Sequence, residues 1–130
     1  MDGATLLFNK DGTLPLAQDT KFSCFSQSSV NLLYGGTGSG SMDASMAATL
    51  HSALTAAFGE GCINQDLWTF YVTSGYQREN AATTGGHQGQ YRINEVPWSL
   101  YEGKGVTSPF AEYGDVALVV RARSGGGCGD

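Results

Sequence analysis

Hydrophobic positions gather in a few short runs separated by polar, glycine-containing stretches, and the most continuous run is Val116-Ala117-Leu118-Val119-Val120, entered from Asp115. An unbroken series of Val, Ala and Leu suits a strand buried on both faces, because helices cover both sides of a parallel sheet. The spacing therefore predicts a buried strand over 115–120. Lys21-Phe22-Ser23-Cys24-Phe25 predicts a second, short strand, and Cys62-Ile63-Asn64 a third, very short one. The clearest helix is expected from about Asp43 to Phe58. There Met46, Leu50, Leu54 and Phe58 recur at helical spacing, with Ala47, Ala53 and Ala57 beside them, and together they form one apolar stripe. Ser41 or Asp43 is placed to cap its first turn, and Gly59 suits the left-handed residue just past its end. Leu67, Trp68, Phe70 and Tyr71 fit a short helix, and strand alternation fits them nearly as well.

The remaining stretches read as connections. Residues 3–9 suit the end of a short helix or an extended arm. Lys10-Asp11-Gly12-Thr13 is a turn, since Asp-Gly readily supplies positive φ. Leu14-Pro15-Leu16 follows as an extended piece. The strand at Phe25 ends in polar Ser26-Gln27-Ser28-Ser29, with Val30-Asn31-Leu32-Leu33-Tyr34 leading to the glycine loop Gly35–Ser41. Strand, glycine loop and helix are expected in that order. From Thr73 to Gln90 the sequence is polar and aperiodic, which predicts a long loop or an insertion. Ile93-Asn94-Glu95-Val96-Pro97-Trp98 is expected to be extended, because the residue before a proline avoids the α region. Ser108–Tyr113 reads as a helical turn with Pro109 near its start. The predicted class is α/β: a small, mainly parallel sheet flanked by helices, in a single domain over 1–130.

Composition narrows the function. The chain has 130 residues, nineteen of them glycine, and a net charge of −5 from 7 basic and 12 acidic residues. Nucleic-acid binding draws on a basic face that displaces counterions; no Lys/Arg cluster is present, so that class is not expected. No apolar run approaches the ~20 residues that span a bilayer. The amino terminus lacks a charged segment followed by an apolar one, so any export signal would lie outside this chain. Cys24, Cys62 and Cys128 have no C-x-x-C spacing, which argues against a disulfide framework or a zinc site. Two small buried residues and one thiol in the terminal loop are expected instead.

Candidate chemistry is sparse. Gly35–Ser41 before a helix offers unpaired backbone N–H groups to an anion. It has no Gly-Lys-Ser/Thr, however, and its spacing is G-x-G-x-G, so a tight strand-to-helix turn with a ligand-facing edge is the better reading. His51 and His87 have no Cys or carboxylate at ligand spacing and belong to no triad, and neither a metal nor a cofactor is expected. Among the scattered carboxylates Glu60, Glu79, Glu95, Glu102 and Glu112, Glu95 is the most interesting by its position beside Pro97 and Trp98, although a solvated loop residue is the favoured reading of it. Tyr34, Trp68, Tyr71, Tyr91, Trp98 and Tyr101 suit either stacking on sugar rings or a small core and its rims. In open α/β sheets ligands bind beyond the carboxyl ends of the strands, so the tail Arg121–Asp130 is a candidate site.

Several motifs, taken in order, resemble the carboxyl-side α/β sandwich domain of family 3 glycoside hydrolases, the β-glucosidase type. They are Leu6-Leu7-Phe8-Asn9 with Asp11-Gly12-Thr13-Leu14-Pro15-Leu16; Tyr34-Gly35-Gly36-Thr37-Gly38-Ser39-Gly40-Ser41; Leu67-Trp68-Thr69-Phe70-Tyr71; Ile93-Asn94-Glu95-Val96-Pro97-Trp98; and Phe110–Val120 running into Arg123-Ser124-Gly125-Gly126. The resemblance spans nearly the whole chain. It implies hydrolysis of β-linked sugars with retention, which takes two carboxylic groups about 5–5.5 Å apart. It also implies that the nucleophile, an aspartate, stands on a separate barrel domain not contained in this chain. The acid/base of many members is a glutamate after the buried strand, in the pattern Arg-Ser-Gly-Gly-Glu-Gly-x-Asp. Gly127 stands at that glutamate's position, and glycine can neither donate nor accept a proton through a side chain. Ser26 is a second departure, at a place where the family pattern has glycine.

The resemblance thus implies the amino-terminal part of a sandwich domain, an incomplete unit that forms one wall of a sugar site and is inactive by itself. Arg123 and Ser124 are the expected substrate-binding residues, with Gly38, Ser39, Gly40 and Ser41 as neighbours. The expected partners are a β-linked glucoside or oligosaccharide, the barrel domain and the remainder of the sandwich, with self-association through uncovered apolar surface. A non-catalytic carbohydrate-binding or interaction module that kept the fold is the alternative. A third possibility is an anion or nucleotide binder acting through Gly35–Ser41.

Overall fold

The strand predicted at Lys21–Phe25 forms as β1 (Phe22–Phe25), and the run after Asp115 forms β4 (Val116–Val119). In the computed structural model, which describes residues 7–35, 43–77, 79–80, 91–92 and 94–122, these two strands pair in parallel. Phe22 lies opposite Val116 and Phe25 opposite Val119. The register is set at its start by the Lys21 N–H, which donates to the Asp115 carboxylate at 2.9 Å. On the other side of β1, Phe22 bridges in parallel to Ile63: the Phe22 N–H donates to the Cys62 carbonyl at 2.7 Å, and the Asn64 N–H donates to the Phe22 carbonyl at 2.8 Å. The very short third strand is therefore a single bridge. The α/β class with a small parallel sheet and flanking helices is as expected.

Helices flank the sheet on both faces. α2 (Leu50–Phe58) lays Leu50, Leu54 and Phe58 against a buried cluster of Phe22, Cys24, Cys62 and Ile63, where Val116 and Leu118 also pack. On the opposite face α3 (Gln65–Thr73) and α4 (Trp98–Lys104) enclose Leu67, Phe70, Tyr71, Val96, Tyr101 and Val106. Asn64 joins the sheet to α3: its side-chain oxygen accepts from the Leu67 N–H at 3.2 Å, and its amide donates to Ser23 Oγ at 3.3 Å. The Asp11–Gly12 turn takes positive φ at both residues, as the dipeptide predicts. The helical turn at Ser108–Phe110 also forms as expected, and Cys24 and Cys62 are both buried and free.

Four expectations are corrected. The strand at 116–119 is not buried on both faces: Val116 and Leu118 are half-buried, whereas Ala117 and Val119 are exposed, Val119 by 61%. α2 covers only one side of β4, and no described element covers the other. The helix placed from Asp43 starts at Leu50, with the Thr49 hydroxyl accepting from the Ser52 N–H as its cap. Upstream of it Asp43 closes a turn by accepting from the Ser45 N–H, and Met46 is 95% exposed rather than part of a stripe. Side-chain acceptors that bond nearby backbone compete with helix in this way.

Polar Ser26–Ser29 is not simply a loop; Gln27–Val30 forms the short helix α1, with Gln27, Ser28 and Ser29 buried. Residues 32–34 are not a strand, so the expected strand, glycine loop and helix succession does not form. β2 (Glu79–Asn80), inside the polar Thr73–Gln90 stretch, pairs antiparallel with β3 (Tyr91–Arg92), just beyond it.

Candidate functional site

β1 and β4 end side by side, and beyond their carboxyl ends lies a cavity of about 460 Å³. Phe25 and Ser26 enter it from β1, and residues 119–122 from β4; Glu95 and Trp98 come from the segment that starts α4, with Tyr71 and Tyr101 beneath. This is where ligands sit in open α/β sheets.

The geometry starts at Ser26. The chain leaves β1 there with φ 84° and ψ 151°, a region essentially reserved for glycine that costs other residues about 1–3 kcal/mol. Two bonds hold it. The Ser26 hydroxyl donates to the Val120 carbonyl, which ties the ends of the two strands together. The following N–H, of Gln27, donates to both oxygens of the Glu95 carboxylate at 3.1 and 3.0 Å. The Val96 N–H donates to Glu95 Oε1 at 3.1 Å. Hydrogen bonds to an ionised acceptor are roughly twice as strong as neutral ones, so Glu95 is fixed in place although its residue is solvent-exposed. Replacing Ser26 by Gly is expected to leave the protein more stable than replacing it by Ala, by roughly 1–3 kcal/mol. Both variants lose the hydroxyl bond, and only glycine relieves the backbone. Urea midpoints of the two variants measure the difference, and equal midpoints would refute the strain.

Beneath Glu95 the hydroxyls of Tyr71 and Tyr101 hydrogen-bond to each other. Burial raises the Tyr71 phenol far above the ordinary tyrosine range, and the bond to Tyr101 and the Glu95 charge act in the same direction. Tyr101 is also raised by burial, partly offset by its bond with Tyr71 and supported by Glu95. Both phenols are therefore neutral donors and acceptors at neutral pH. The indole of Trp98 stacks on Tyr101 at 4.9 Å and 24°. Trp98 is 59% exposed. Buried Gln27 accepts from Ser74 Oγ at 3.0 Å, while its Nε2 has no partner among the described residues.

The chain matches no protein-family model, no curated protein and no solved structure.

Of the residues singled out in the sequence, Arg123, Ser124 and Gly127, and Gly38, Ser39, Gly40 and Ser41, lie outside the described residues. Arg121, at the exit of β4, lines the cavity. Glu95, Trp98, Tyr71 and Tyr101 are brought together there, whereas Trp68 packs with α2 against the sheet and the Tyr34 hydroxyl donates to the Ala48 carbonyl. His51 stands edge-on to Trp68 at 5.1 Å and within 3.2 Å of Gln65 Oε1, a packing position. Among the described residues no group of three His, Cys, Asp or Glu side chains could hold a metal ion. No helix of the described residues is long and apolar enough to cross a membrane. The part of the site missed from sequence is its floor at Ser26 and Gln27, since nothing in a polar Ser-Gln-Ser-Ser run announces a buried turn that grips a carboxylate. A cavity lined by an exposed aromatic ring, a fixed carboxylate and an arginine suits a hydroxyl-rich ligand with an apolar side.

Proposed function

We propose that this chain forms one wall of a carbohydrate-binding cleft of the β-glucosidase type and does not hydrolyse glycosides by itself. The observation that carries the proposal is the cavity at the carboxyl ends of β1 and β4, lined by both the exposed Trp98 and the fixed carboxylate of Glu95. Ser26 adds support. At the place where the resembled family has glycine, the backbone adopts a conformation that glycine favours. Retaining hydrolysis takes two carboxylic groups; among the described residues this cavity is lined by one, Glu95, and position 127 holds glycine. Exposed Val119 and the uncovered face of β4 support completion of the sheet by further polypeptide of the sandwich, by the barrel domain or by a second copy.

The test pairs binding with turnover. Methyl β-glucoside is expected to perturb Trp98 fluorescence saturably. Trp98→Ala should weaken binding by about tenfold, in line with the loss of an aromatic anchor, while Trp68→Phe leaves it unchanged. Hydrolysis of an aryl β-glucoside by the pure chain should stay at background. Turnover above background would refute the proposed inactivity, and an unaffected Trp98→Ala variant would refute the site. The same single-carboxylate cavity also suits a free-standing sugar-binding module, which a stable monomer with saturable binding would select.

A further inference from the structure

We propose that Glu95 makes this cavity discriminate by ligand charge: it accepts neutral and amino sugars and rejects uronic acids. The proposal rests on the carbohydrate reading of the site and adds a specificity that the reading alone does not contain. Glu95 is held by two backbone N–H groups, of Gln27 and Val96, at 3.0–3.1 Å. Those bonds leave part of the acceptor capacity of its two oxygens unused. It lines the same cavity as Trp98, whose stacking on Tyr101 fixes the indole. A pyranose stacked on the indole within this cavity shares it with an immobile carboxylate. Hydroxyl and ammonium groups of the sugar donate to Glu95, and a ligand carboxylate there meets a like charge. The neutral phenols of Tyr71 and Tyr101 beneath add no compensating cation.

Arg121 is the one cation among the described residues lining the cavity, and its residue is exposed. No hydrogen bond or ion pair holds it among the described residues. A free guanidinium on a long stem pays rotamer entropy to pair, and water screens it. The carboxylate held by backbone dominates the selection.

The experiment is a tryptophan-fluorescence titration of the full chain at low salt with three probes: methyl β-glucoside, methyl 2-amino-2-deoxy-β-glucoside and methyl β-glucuronide. The amino sugar is expected to bind tightest, and the glucuronide about tenfold more weakly than the glucoside. Added salt should compress this order, and Glu95→Gln, which removes the charge together with one carboxylate acceptor, should weaken the glucoside and bring the three affinities together. Glucuronide binding as tight as the glucoside, or an order unchanged by both salt and Glu95→Gln, would overturn the charge discrimination and leave the sugar site standing. The salt arm needs no variant, so a poorly folded Glu95→Gln still leaves the proposal testable. Failure of all three probes to bind would overturn the carbohydrate reading itself, and the proposal with it.

Discussion

Replacing Leu67 by Ala is expected to lower the unfolding free energy by about 2–5 kcal/mol, the range for truncating a fully buried leucine whose surroundings cannot collapse. Leu67 is 0% exposed and lies in α3 among Phe70, Tyr71, Val96, Tyr101 and Val106, with Phe25 of β1 packed against the cluster. Its backbone N–H is bonded to the Asn64 cap, so α3 cannot slide to fill the void. Domains of this size have about 5–15 kcal/mol in total, so the loss is a large share. Met46→Ala, at an exposed position, should stay within about 0.5 kcal/mol. Urea unfolding of the two variants provides the comparison. Equal midpoints would mean that the cluster around Leu67 does not hold α3 to the sheet.

Raising the pH is expected to destabilise the protein from about pH 9 upward, with a steeper fall above about pH 10. The folded state raises three acids above their ordinary values. Burial, with the neighbouring Cys62, pushes the Cys24 thiol from 9.0 up to about 11. Burial likewise raises Tyr71 and Tyr101. Above their unfolded values the unfolded chain releases these protons while the native state keeps them. Stability present at lower pH is therefore lost as pH rises, by up to ~1.4 kcal/mol per pH unit for each such group. Melting curves between about pH 8 and pH 11 should show the decline. Tyrosinate absorbance should show that part of the six tyrosines titrates only as the protein unfolds. A flat stability profile, or all six tyrosines titrating together near pH 10 in the native protein, would contradict the buried pair.

The parts of the fold legible from sequence are those that local pattern dictates. Phe22 and Cys24 alternate toward α2, and Leu50, Leu54 and Phe58 repeat at helical spacing. The Asp11-Gly12 pair demands a turn. Sequence and structure part where partners distant in sequence decide. A run of Val, Ala and Leu at 116–119 does not say how many faces will be covered, and here α2 covers one. The apolar spacing runs unbroken back to Met46, but the Asp43 side chain bonds the Ser45 N–H and Thr49 caps the helix later.

Of the candidate site, the sequence marks Glu95 only as a carboxylate near Pro97 and Trp98, a position that a solvated loop residue fits equally. Its meeting with the Ser26 turn is not legible there, because it depends on the Gln27 N–H and a carboxylate sixty-eight residues away. Ser26 is singled out in the sequence by the resemblance alone, and its φ of 84° is a backbone conformation that glycine favours.

The most direct test of the central claim, a sugar site at the carboxyl ends of β1 and β4, is a titration of the 15N-labelled full chain with methyl β-glucoside followed by two-dimensional NMR. The account predicts saturable shifts of the Trp98 indole N–H and of the Gln27 and Val96 amides that flank Glu95, with the Trp68 indole unmoved. Saturable shifts confined to other parts of the chain, or no shifts at millimolar glucoside, would contradict it.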